Sequence, residues 1–132
     1  MSLKSCLQLL LSKFVKRSDT EFIGKQAAPS SSFVSLTVPS SADLSAYGSF
    51  IKTTAPFDGY ATLYCSGYAS NYTFGIQSER IESKLFSNGD SSFLYVPIRK
   101  GTSMDFYCRT ARNDPAILSK LHASFVKNLG SS

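Results

Sequence analysis

From residue 33 onward the apolar positions recur with a period of two, the spacing of a strand whose side chains point alternately to opposite faces. Val34, Leu36 and Val38 alternate with Phe33, Ser35 and Thr37, and Pro39 stops the run. A second strand is predicted over residues 50–54. Ala61, Leu63 and Cys65 alternate with Tyr60, Thr62 and Tyr64. Tyr72, Phe74 and Ile76 follow, then Ile81, Ser83 and Leu85, then Leu94, Val96 and Ile98, then Met104, Phe106 and Cys108. Leu121, Ala123 and Phe125, alternating with His122, Ser124 and Val126, end the series. Residues 117–126 also fit a helix through Ile117, Leu118, Leu121 and Phe125. The alternation out to Phe125 favours a closing strand.

Turn residues separate the runs: Asp58-Gly59, Gly67, Asn88-Gly89-Asp90, Lys100-Gly101 and Asn113-Asp114-Pro115. Glycine reaches positive φ without steric cost, Asn and Asp bond their own backbone, and Pro fixes φ. Some seven or eight short strands at this spacing predict a mainly β domain, a jelly-roll-like antiparallel β-sandwich.

The first residues keep a different period. Leu3, Leu7, Leu10 and Phe14 are separated by four, three and four positions, an a/d seam, and Leu11 and Val15 widen it. A short α-helix is therefore expected to precede the sandwich. Alone in water it would be marginal, so it packs on its own chain, on a membrane surface, or on copies of itself. The narrow seam favours the last, with Leu3, Leu7, Leu10 and Phe14 as the oligomer interface. Ser18-Asp19-Thr20-Glu21 is a capping box from which a second short helix can start, and the Ala-Ala-Pro-Ser-Ser-Ser stretch at 27–32 ends helical structure. The chain thus divides into a helical oligomerisation or docking segment, residues 1–28, and a sandwich domain, residues 29–132.

The same apolar run excludes other readings. It is broken by Gln8 and ends at Ser12-Lys13, with no small-residue cleavage site, so a secretory signal peptide is not expected. It is too short to cross a bilayer, which takes about 20 apolar residues. Synthesis in the cytoplasm without membrane insertion is the expectation. With 14 Lys+Arg against 9 Asp+Glu, a net charge of +5, the chain is only moderately basic, which is no footprint for duplex DNA. Three scattered cysteines, Cys6, Cys65 and Cys108, do not form a secreted disulfide framework. Cys65 and Cys108 lie in apolar alternation and are expected to be buried thiols.

Three stretches together resemble small phage and prophage virion proteins of the tail-fibre or head-fibre (decoration) kind. They are LLSKFVKRSDTEFIGKQAAPS, TAPFDGYATLYC and VPIRKGTSMDFYC. The resemblance covers most of the chain through loose motifs. It implies a homotrimer held or docked by its N-terminus, a sandwich pointing outward, and a structural or adhesive role in the virion. Its implied partners are other virion proteins and a host-surface glycan or protein. The chain has no long shaft or shaft repeats, so the resemblance implies a short appendage or tip.

Catalytic patterns are missing from the sequence. His122 is the single histidine, and neither it nor the cysteines sits at a glycine elbow. No zinc spacing or phosphate-binding glycine motif occurs. Glu79 and Glu82 flank a predicted turn, where carboxylates stay solvated. No enzyme, metal or cofactor is expected. Recognition by surface remains. Within GYASNY, residues 67–72, Tyr68 and Tyr72 supply contact area and Asn71 an adaptable polar contact, the chemistry of a receptor-binding loop. The alternative is a single-strand nucleic-acid binder with Tyr60, Tyr64 and Tyr107 as stacking platforms beside Arg109.

Overall fold

A computed structural model of the chain describes residues 2–7, 28–44 and 48–130. Residues 3–7 are helical, and the Ser5 N–H donates to Ser2 Oγ at 3.2 Å. Leu3 and Leu7 are both exposed within the single chain; Leu10, Phe14 and the capping box lie outside the described residues.

Eight strands follow: β1 (Pro29–Leu36), β2 (Ser49–Thr54), β3 (Gly59–Cys65), β4 (Asn71–Ser78), β5 (Glu82–Asn88), β6 (Ser92–Ile98), β7 (Ser103–Thr110) and β8 (Leu121–Asn128). Each strand expected from alternation is present. They form two four-stranded sheets, in the orders β1-β8-β3-β6 and β2-β7-β4-β5, and the pairings are antiparallel. First pairs with last, second with seventh, third with sixth and fourth with fifth. That nesting is a chain folded as one long hairpin and rolled over two sheets, the jelly roll.

The alternation decides which residues lie between the sheets. Ala61, Leu63 and Cys65 of β3 and Phe125 of β8 face Phe74 and Ile76 of β4 and Phe106 and Cys108 of β7. Burying a side chain of this kind contributes about 1.5–3 kcal/mol. Cys65 and Cys108 are free thiols within this core. Burial, and the proximity of Cys65, push the Cys108 thiol up to about 12.

Residues 117–120 depart from the expected strand. Pro115–Lys120 form a 3₁₀ helix with Ile117 and Leu118 both buried. Two consecutive inward side chains are incompatible with a strand's alternation. Asp114 caps the turn, accepting from the Ala116 N–H at 3.0 Å, and Pro115 pre-sets φ at its first position. β8 begins only at Leu121.

Candidate functional site

The outward side chains of β1, β8, β3 and β6 form three rows across their sheet. Register places Phe33, Val126, Tyr60 and Pro97 in the first row and Ser35, Ser124, Thr62 and Tyr95 in the second. His122, Tyr64 and Phe93 form the third. None of these positions holds Asp, Glu, Lys or Arg. The rings touch one another. Tyr60 meets Tyr95 edge to face at 6.1 Å, Phe93 meets Tyr95 at 6.0 Å, and Tyr64 stacks on His122 at 5.8 Å. Thr62 and Ser124 hydroxyls share a hydrogen bond of 2.6 Å and satisfy each other.

This face is open in the single chain. Phe33 is 66% exposed, Phe93 56% and Tyr95 62%. Strand spacings make the three rows on the order of 300 Å² in projection. An uncharged face carrying several exposed rings is a candidate interaction surface. Its middle row is low, at Ser35, Ser124 and Thr62, and rises to Tyr95 on β6, with larger side chains in the rows on either side.

The outer face of the other sheet has the opposite character. Here Asp105, Gln77 and Glu82 form one row, Tyr107, Gly75 and Lys84 the next, and Arg109, Thr73 and Phe86 the third. Gly75 and Thr73 keep β4 low between longer side chains on β5 and β7. The result is a shallow depression of about 770 Å³. Tyr107 bends down across β4 instead of standing off the sheet. A side chain built on Gly75 would collide with its phenol, so a glycine opposite is what lets the ring lie flat. The Tyr107 hydroxyl donates to Glu82 Oε1 on the far strand at 2.9 Å. Burial and that carboxylate push the phenol up to about 12, so it remains a donor. Phe86, 64% exposed, forms the rim.

The loop residues expected to contact a ligand are not gathered for that task. Tyr72 is 1% exposed, and its hydroxyl donates to the Asp90 carbonyl at 2.8 Å. It faces inward because it continues the alternation of Phe74 and Ile76. Tyr72 is a core residue, which corrects the expectation that it contacts a receptor. Tyr68 is half-buried against it, edge to face at 5.9 Å, and gives its hydroxyl to the Asp114 carboxylate. Asn71 alone of the three is exposed. The stacking set expected of a nucleic-acid binder is also divided: Tyr60 and Tyr64 lie on one outer face, Tyr107 and Arg109 on the other.

Sequence reasoning missed Phe93 and Tyr95, and it missed Gly75, Lys84 and Phe86. A signal existed for the first pair, since both alternate with the inward Leu94 and Val96. Among the described residues no cluster of His, Cys, Asp and Glu is suited to hold a metal ion, and no helix is long and apolar enough to cross a membrane. No family model matches the chain, and comparison with curated proteins and with solved structures gives no significant match.

Proposed function

We propose that this chain is a non-enzymatic structural protein of a bacteriophage virion. In this reading it is a short fibre, tip or capsid-decorating component that assembles with copies of itself, as a trimer, and presents the rest of its sandwich for adhesion. The observation that carries the reading is the uncharged, ring-bearing outer face of β1-β8-β3-β6. Water-facing sheet surfaces normally carry polar and charged side chains, and this chain has charges enough to furnish one. A neutral face of rings is complementary to another copy of itself. In this reading the contact between copies is heterologous, with a rotation that closes into a ring of three. The a/d seam of the N-terminal segment supports the same arrangement. The virion setting rests on the resemblance of the three sequence stretches.

The test is the mass of the full chain in solution, by light scattering or sedimentation, beside that of Tyr95→Glu. The expected outcome is a trimer for the unaltered chain and a smaller species, with β circular dichroism retained, for the variant. A charge in the middle of a dry contact costs several kcal/mol unless it is paired. A monomeric unaltered protein at micromolar concentration refutes the reading. Binding of single-stranded nucleic acid that weakens steeply with salt would favour the other class of function.

A further inference from the structure

The depression over β4 is the second built surface of the molecule, and it is made differently from the first. Tyr107 lies across β4 because Gly75 leaves room for its phenol and Glu82 holds its hydroxyl, 2.9 Å away. Lying across β4, the phenol gives the floor of the depression an aromatic surface. Phe86 adds a second, exposed ring on the adjoining strand. Around these rings stand hydroxyl-pairing groups, Thr73 and Gln77, and two cations, Lys84 and Arg109.

We infer that this depression binds an acidic saccharide, a chain of pyranose rings bearing carboxylates. The C–H face of a pyranose, polarised by its ring oxygens, is attracted to the π-face of Tyr107, and the sugar edge packs against Phe86. Thr73 and Gln77 pair with ring hydroxyls, and the free oxygen of Glu82 accepts from another. Lys84 and Arg109 take the carboxylate, Arg109 through its planar fork. Single-stranded nucleic acid fits the site less well. Two cations do not make the continuous basic track that a phosphodiester backbone follows. The depression is shallow and open, so affinity at one copy is weak and gains from several linked copies. The inference names the ligand class for the adhesive role and rests on that reading, but the site itself is complete within one chain.

The experiment titrates the full-length protein with a galacturonate oligomer. A neutral cello-oligomer and an oligothymidylate serve as comparisons, followed by calorimetry or by chemical-shift changes. The expected result is saturable binding of the galacturonate oligomer, tighter than either comparison and weaker in high salt. Phe86→Ala removes only an exposed ring, so the fold survives, and it should lower the affinity about fivefold or more. Arg109→Ala should abolish the preference for the acidic over the neutral sugar. Absence of saturable binding, binding unmoved by Phe86→Ala, or tighter binding of the oligothymidylate overturns the inference. The oligomer mass of Phe86→Ala is measured in parallel. A trimer that does not bind sugar sinks this inference and leaves the assembly intact, whereas a monomer that binds sugar sinks the assembly alone.

Discussion

Phe106 of β7 and Phe125 of β8 meet edge to face across the two sheets, with ring centroids 5.9 Å apart at an interplanar angle of 68°. Both are essentially inaccessible to water. The pair is one contact between the two sheets within their shared core.

Truncating either ring leaves a cavity between two sheets that cannot collapse without bending their strands. Phe106→Ala and Phe125→Ala should each cost about 3–5 kcal/mol. The double variant should cost less than the sum by about 0.5–1.5 kcal/mol, the worth of the ring–ring contact. Urea unfolding of the four proteins at one fixed concentration measures this. Additive losses would mean that the two rings are independent fillers of the core.

The thiols should divide by position. Cys6 is exposed, whereas Cys65 and Cys108 are buried, and only a thiolate reacts quickly with a disulfide reagent. With its thiol pushed up to about 12, chiefly by burial, Cys108 stays protonated throughout the neutral range. One thiol of the native protein should therefore react in the fast phase and two more only on unfolding. A Cys65–Cys108 disulfide, seen as an intact mass two hydrogens lighter, would contradict it.

Eight strands were legible from the sequence because alternation is local, and it marks which residues of a strand share a face. Tyr60 and Tyr64 could be placed opposite Ala61 and Leu63 without any structure. Pairing between distant strands is not local. That Phe93, His122 and Phe33 share one surface with Tyr60 follows only from the order β1-β8-β3-β6. Gly75 and Tyr107 face each other through the register of β4 and β7, and nothing near either residue announces it. Tyr72 is a different case. Its place in the run with Phe74 and Ile76 already marked it as inward, and its position at the end of a polar loop outweighed that signal. Ile117 and Leu118 carried a signal too, since adjacent apolar residues after Asp-Pro suit a capped turn better than an alternating strand.

Asp114 joins two loops at one end of the sandwich. Its carboxylate accepts from the Tyr68 hydroxyl and from the Ala116 N–H, and the Tyr68 bond, then the backbone bond, hold its pKa below the usual aspartate value. The folded pKa is the lower one, so the stabilisation is fully present above the ordinary carboxylate range. It is lost as pH falls through the lowered value. Asn is also a good helix cap, so Asp114→Asn removes the charge and keeps the cap. Its melting temperature should lie below that of the unaltered protein at neutral pH. The gap should close in acid, and a gap of the same size at both pH values would show that charge is not what Tyr68 recognises.

In the proposed trimer two elements would hold the copies together, the leucine seam of the sequence and the ring-bearing sheet face, and they can be separated by mutation. Leu7 is exposed on the N-terminal helix and Tyr95 on β6. A short helix of this kind is marginal alone, so it does not hold a trimer without help. Once the sheet faces meet, however, the helices are at high effective concentration and their association becomes intramolecular. The expected hierarchy follows. Leu7→Asp should shift dissociation to higher protein concentration while leaving a trimer detectable. Tyr95→Glu should abolish the trimer over the same range, and the double variant should be monomeric throughout. Sedimentation across a dilution series distinguishes these outcomes. If Leu7→Asp alone yields a monomer and Tyr95→Glu sediments like the unaltered protein, the seam holds the assembly. The neutral face of β1-β8-β3-β6 would then have some partner other than a second copy of the chain.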